Sequence, residues 1–438
     1  MDALLRTLVA GLARGEVDAR ALEALGCADP ARDGARLCAA AARPELAATR
    51  ERWLPELLCS ARPGAGAEYL AELAARVRPA LELERLPLLP RLLGSSDALA
   101  RLLLRHPNWS EELAGALPAA PAAEAVEADW TAIRIAKYKG LLRIAARDLA
   151  GRAFAESLAE LSQLADRCLT AALARAAREA QVAPPALFAL GKLGGNELNF
   201  SSDVDLLFIH ESAPEGGAEP GQLARLIELI RCFKKHLEVP SEDGFGYRID
   251  LDLRPEGRQG VIVNSVDAAL AYYENFGADW ERQMLIRLRF VAGARAPGQA
   301  FEQGLRPFVW RRTVGNDAVR AVRAMKRRIE DERLEAGRDL EADLKEGPGG
   351  IRDVEFLVQA FQLLFGGREP SLRTGNVLAA LAALERAGLL DLSVTEELGD
   401  AYLWLRRAEH ALQLADEQQT ARVPARLEAR VELARRMG

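Results

Sequence analysis

One stretch combines residue types and spacing that can do chemistry. Residues 191–208 read GKLGGNELNFSSDVDLLF, a glycine-rich turn that leads to Asp203-Val204-Asp205 at the head of an apolar run. Side chains on a strand alternate between faces, so Asp203 and Asp205 share one face while Val204 and Leu206 take the other. At ~3.3 Å rise per residue their Cα atoms lie about 7 Å apart. Two carboxylates that converge to ~4–5 Å repel by roughly 3–4 kcal/mol at an effective dielectric near 20. A shared proton or a divalent cation offsets that repulsion. Hard oxygen ligands that also meet a phosphate suit Mg²⁺. Glycines let backbone N–H groups approach a phosphate closely. Metal-dependent phosphoryl or nucleotidyl transfer is the chemistry expected.

A lone D-x-D is usually a solvated strand end or turn. Here Gly191-Lys192 is followed, ten residues on, by Asp203. That ordering resembles the signature of the nucleotidyltransferase superfamily, although Lys192 stands where many members have Ser. A second charged stretch, GFGYRIDLDLRPEG at 244–257, alternates Arg248, Asp250, Asp252 and Arg254 with Ile249, Leu251 and Leu253. It reads as a half-buried strand with one charged face. By itself such a face is a solvated edge laced with ion pairs. Beside the Asp203/Asp205 strand, Asp250 can supply the third carboxylate that a two-metal site needs, and Arg254 can meet phosphate charge. Further on, Lys345-Glu346-Gly347-Pro348-Gly349-Gly350 runs into a helix at Ile351, with Arg352 in its first turn. A glycine-rich loop entering a helix N-terminus is a potential anion site.

The elements that must position these groups are mostly helical. The chain has 438 residues, 49% hydrophobic and 28% charged, with few aromatics and much Ala, Leu, Arg and Glu. That composition favours helix. The expected fold is α+β and predominantly helical: a small mixed-sheet core flanked by N-terminal helices and a C-terminal helical bundle. The expected division is 1–150 helical, 151–305 catalytic core, and 306–438 helical bundle. Residues 153–182 and 223–237 carry strong helical periodicity, and 186–190 and 261–263 read as short strands. Residues 118–121 and 211–221 read as loops, and 320–346 as a charged helix. The segment 279–290 reads as amphipathic, with Glu281, Arg287 and Arg289 as helix surface or site groups.

The net charge is −6 without a concentrated basic stripe, which argues against nucleic acid as the main partner. Five widely spaced cysteines without a C-x-x-C pair fit reduced thiols in a cytoplasmic protein, and four scattered histidines give no zinc pattern. No apolar run approaches a membrane span. Leu427–Met437 has no evident cap before the chain stops, as expected of a protein that continues.

Five ordered segments carry a closer resemblance: LLRIAARDLAG (141–151), GFGYRIDLDLRPEG (244–257), DWERQMLIRLR (279–289), FVWRRT (308–313) and LKEGPGGIRDVEFLVQAFQ (344–362). With ELNFSSDVD they resemble the family of bifunctional glutamine synthetase adenylyltransferase/adenylyl-removing enzymes, in its N-terminal, adenylyl-removing half. The resemblance implies Asp203, Asp205 and Asp250 as carboxylates for two Mg²⁺ or Mn²⁺ ions. It implies Gly191, Lys192, Gly194, Gly195 and Ser202 near the phosphates. Arg254, Lys345 and Arg352 are expected to bind the incoming phosphate. The implied reaction is phosphorolysis of adenylyl-tyrosine on glutamine synthetase, releasing ADP, under control of a PII signalling protein whose uridylylated form activates. A C-terminal adenylyltransferase half would be absent from this chain. Forward adenylylation from ATP uses the same carboxylates, and a regulatory docking module is a further alternative. Asp252 departs from the family pattern. It is expected either to add a fourth carboxylate to the site or to pair with Arg248 or Arg254.

Overall fold

The apolar run at 186–190 is flanked by Pro184-Pro185 and a glycine turn, which leaves room only for a short strand. In the computed structural model it forms β1 (Ala186–Ala189), with every residue buried. The structure describes residues 3–77, 81–114, 126–212, 221–242, 244–312, 327 and 340–438. The 118–121 loop, most of the 211–221 loop and most of the 320–346 helix read from the sequence lie outside these residues.

β1 pairs antiparallel with β2 (Val204–His210), Phe188 opposite Leu207. Two short strands, β3 (Ile249–Asp250) and β4 (Asn264–Ser265), pair parallel with the two ends of β2. β5 (Arg289–Ala292) pairs antiparallel with β1. The order is β3-β2-β1-β5, with β4 also beside β2. A parallel neighbour requires a crossover, and the helix Gln222–Glu238 lies between β2 and β3 in the chain. The sheet is covered on both faces, which is why β1 and β2 read as continuous apolar runs. Leu207, Ile209 and Phe188 pack with Tyr273, Phe301 and Leu305 from helices Val266–Asn275 and Arg295–Val309. Phe208 instead meets Phe233 of Gln222–Glu238, edge to face at 5.6 Å.

Three expectations are corrected in detail. The alternating 248–254 stretch is a strand only at Ile249–Asp250. Beyond it the Asp250 Oδ1 accepts the Asp252 N–H at 2.7 Å, and the Arg254 guanidinium gathers the carbonyls of Leu251, Arg258 and Gly260. These bonds curl the chain into turns. The strand expected at 261–263 falls at Asn264–Ser265. The amphipathic segment 279–290 is a helix only over Asp279–Leu285, and Arg289 and Phe290 belong to β5.

The chain divides into two compact units that are not consecutive in sequence. One comprises Met1–Ala123, Tyr138–Ser157 and Arg407–Gly438; the other comprises Glu124–Lys137 and Leu158–Arg406. The first is all helical in its described residues. Its N-terminal helices are joined by the helix Leu427–Met437, whose Arg435 guanidinium donates to the carbonyls of Leu25, Leu58 and Ser60. Sequence order hides this union, because the partners are separated by 375 residues for Ser60 alone. Arg435→Leu strips three carbonyls of their donor. It is expected to destabilise this unit by about 2–4 kcal/mol, read as a lowered urea midpoint.

Candidate active site

The parallel register of β2 and β3 sets Val204 opposite Ile249 and Asp205 opposite Asp250. The third carboxylate, Asp203, lies just before β2 and is held by Arg248, whose Nε donates to Asp203 Oδ1 at 2.5 Å. The same guanidinium donates to the Ser201 carbonyl at 2.7 Å and the Ser201 hydroxyl at 3.1 Å. Alternation along β2 puts Asp205 on the face that Leu207 and Ile209 continue into the core. Burial raises the Asp205 carboxyl to about 6. Asp250 adds to the rise, Lys345 opposes it, Asp203 raises it further and Lys192 opposes it again. The three expected carboxylates are therefore one electrostatic cluster, with two lysines acting on it. The donors are all oxygen, the set that hard divalent cations take.

The glycine turn leans directly on this cluster. Gly191 has φ +53° and opens a short helix over Gly191–Gly194. A Cβ there would lie 2.1 Å from Asp205 Oδ2. Gly194 lies so close to the turn before β5 that a Cβ would sit 1.9 Å from the Arg287 carbonyl. Gly195 faces Gly375 in the same way, at 2.8 Å. Ser202 is buried, and its hydroxyl has no hydrogen-bond partner among the described residues.

The remaining expected phosphate groups divide. Lys345 sits in a loop shaped by Asp343, whose Oδ1 accepts the N–H groups of Lys345 and Glu346, each at 2.9 Å. Its charge acts on both Asp205 and Glu355. The following helix, Ile351–Phe365, has its first amides engaged: Ile351 N–H donates to Leu344 O and Arg352 N–H to Lys345 O. The loop thus brings a lysine rather than open helix amides. Arg352 pairs with Glu346 at 3.4 Å. Arg254 is buried and serves the 251–260 turn. Asp252 pairs with Arg254 at 4.0 Å, one of the two partners expected for it, and more closely with Arg258 at 2.6 Å, which was not expected.

Sequence reasoning missed the support beneath the turn. Glu197 and Asn199, inside the ELNF letters, are both almost fully buried. Glu197 accepts the Val377 N–H at 3.0 Å and the Tyr402 hydroxyl at 3.1 Å. Arg406 donates to Asn199 Oδ1 at 2.5 Å, to the Tyr402 hydroxyl at 2.7 Å and to the Glu197 carbonyl. Arg287 pairs with Glu355 at 3.0 Å and Glu197 at 3.5 Å. Burial alone would raise Glu355. Arg287, then Arg406, Lys345 and Lys192, overcome that and hold it at about 2. Glu197 goes the other way: burial outweighs Arg287 and Arg406 and raises it. The signal in the sequence was the charged letters among apolar neighbours, at Glu355 and Arg406 within helices and at Arg287 in the turn before β5.

Comparison with known proteins follows the same residues. Residues 86–304 match the family described as glutamate-ammonia ligase adenylyltransferase. Residues 323–438 match one described as GlnD PII-uridylyltransferase. A bifunctional glutamine synthetase adenylyltransferase/adenylyl-removing enzyme of Stenotrophomonas maltophilia is 40% identical over 380 residues, covering 81% of this chain and 40% of the relative. Proteins of the same description from Thioalkalivibrio sulfidiphilus and Streptomyces avermitilis are 38% and 39% identical. They cover 83% and 77% of this chain, and 41% and 35% of the relatives. The chain thus spans about 40% of the length of these curated relatives.

Two measurements test the electrostatics. A carboxyl raised in the fold contributes stability that is present below the unfolded value and lost as pH rises through the folded one. Asp205→Asn is therefore expected to stabilise the protein in chelator at pH 8 by on the order of 2–3 kcal/mol. The gain should fade below about pH 4, as followed by thermal unfolding across pH. Glu355 is the opposite case: its stabilisation is present above the ordinary carboxyl value and lost as pH falls towards about 2. Glu355→Gln leaves the buried Arg287 under-compensated. It is expected to lower stability at pH 7 by about 3–5 kcal/mol, a deficit that shrinks as the wild type is acidified.

Proposed function

Because this chain belongs to the glutamate-ammonia ligase adenylyltransferase family, we propose that it carries out the adenylyl-removing reaction on glutamine synthetase. Inorganic phosphate attacks the AMP phosphorus of adenylyl-tyrosine. The new P–O bond completes ADP, the bond to the tyrosine oxygen breaks, and the phenolate takes a proton from water. A phenol has an ordinary pKa of about 10, so this leaving group does not require a dedicated acid. The observation that carries the reading is the cross-strand pairing of Asp205 with Asp250, with Asp203 beside them and Lys192 and Lys345 acting on the cluster.

Asp203, Asp205 and Asp250 would hold two Mg²⁺ or Mn²⁺ ions. The fit is supported by the donor set, which is all carboxylate oxygen, and by the cross-strand placement of Asp250 beside the buried Asp205, with Asp203 at the head of the same strand. When bound, such ions stabilise charge on the attacking and leaving oxygens. Arg248 orients Asp203 and supplies part of the counter-charge. Gly191 lets the backbone approach within contact of Asp205, while Gly194 and Gly195 keep the turn tight beside it. Ser202 brings an unpartnered hydroxyl to the same segment. Lys192 and Lys345 offset the charge of the incoming phosphate. Arg352 remains an auxiliary for that phosphate, whereas Arg254 acts through the shape of the 251–260 turn. A uridylylated PII protein is the proposed activator and the cytoplasm the proposed compartment. Among the described residues no helix is long and apolar enough to cross a membrane.

The family description names the forward adenylyl transfer, which displaces at the same phosphorus, so the assay must separate the two directions. Adenylylated glutamine synthetase, Mg²⁺ and phosphate are incubated with the chain and ADP is followed. Phosphate-dependent ADP release that falls to background in Asp205→Asn is expected. AMP incorporation from ATP into unmodified synthetase, without ADP release, overturns the proposed direction.

A further inference from the structure

Far from the aspartates in sequence, three side chains with metal-ligand chemistry converge. Cys232 and His236 lie four residues apart on the helix Gln222–Glu238, a spacing that puts both on one face. Glu179 comes from the last turn of the helix Phe154–Ala180. One ligand atom of each lies within 4.8 Å of the others. The Cys232 thiol donates to Glu179 Oε2 at 3.0 Å. The second carboxylate oxygen, Oε1, is occupied elsewhere, accepting from Trp130 Nε1 at 3.0 Å and Arg175 Nε at 2.7 Å. Those two donors fix the carboxylate with Oε2 turned to the thiol. Trp130 also stacks on the His236 ring, centroids 4.6 Å apart and planes 9° from parallel. One indole therefore orients two of the three groups, as outer partners do at metal centres.

We propose that Glu179, Cys232 and His236 form a binding site for a borderline-soft divalent cation of the Zn²⁺ class. Thiolate and imidazole select such ions over Mg²⁺, so this site and the all-oxygen aspartate cluster take different metals. The thiol proton that now bridges sulfur and carboxylate occupies the cation's place. As the metal–sulfur bond forms, that proton leaves to solvent. Three protein ligands leave a fourth tetrahedral position for water. No zinc spacing is legible in the letters because Glu179 and Cys232 lie 53 residues apart on different helices, and only Cys232 and His236 share one.

The test is titration of the whole chain with Co²⁺ in a thiol-free reductant. One equivalent is expected to raise a near-ultraviolet thiolate-to-cobalt charge-transfer band that Zn²⁺ then bleaches. The aspartate cluster contains no sulfur and does not contribute to that band. Cys232→Ser should abolish it, and His236→Gln should weaken Co²⁺ binding while circular dichroism in chelator stays unchanged. Trp130→Phe keeps the stack but loses the indole N–H, and is expected to weaken binding about 10-fold. Absence of the band in the wild type overturns the proposal. So does a band that survives in Cys232→Ser, which would assign it to another thiol such as the exposed Cys59.

Discussion

Asp205 and Asp250 are cross-strand neighbours, and their mutual repulsion is the constraint that the surrounding structure answers. Like charges directly opposite each other on paired strands are destabilising. The strands are nevertheless held in that register by what lies behind them. Leu207 and Ile209 continue the Asp205 face into a core of Phe188, Tyr273, Phe301 and Leu305. A slip by one residue would turn those side chains out of the core. The apolar half of β2 thus enforces the position of its acidic head in spite of the unfavourable charge.

Below the glycine turn a second set of charges does the opposite work. Glu197, Arg287, Glu355 and Arg406 are two acids and two bases with matched partners. Buried pairs of this kind add little net stability over apolar packing, but losing one member is severe. Their value here is positional. They tie the residues just after the turn to helices Val377–Arg386 and Leu392–Asp416 and, through Arg287 in the turn before β5, to Glu355 of the helix Ile351–Phe365. The turn can then neither rise away from Asp205 nor admit a side chain.

Much of this was legible in the letters. The glycine turn, the apolar strand runs and the D-x-D are local patterns, and local patterns survive into structure. Asp250 was legible because its stretch alternates, although the alternation misled about strand length. Side-chain capture of backbone groups by Asp250 and Arg254 ended the strand, and periodicity carries no trace of such bonds. The carbonyl partners of Arg254 are hidden for the same reason: the letters of a charged stretch do not show which backbone groups a cation gathers. β5 was invisible because four residues with no clean alternation, RFVA, become a strand only by finding the edge of β1. The 197–406 network, apart from the bond of Arg406 to Tyr402 one turn before it, is non-local.

The helical unit assembled from residues 1–123, 138–157 and 407–438 has a consequence for biogenesis. At roughly 5–20 residues per second of synthesis, the 375 residues from Ser60 to Arg435 take on the order of 20–75 s to emerge. For that interval the early helices lack the arginine that caps their carbonyls. The sheet unit, by contrast, has all its strands once residue 292 is made. Vectorial translation therefore delivers the strands of the sheet before the first helices can be completed. The newborn N-terminal helices therefore wait, with those carbonyls uncapped, until the last helix of the chain is made.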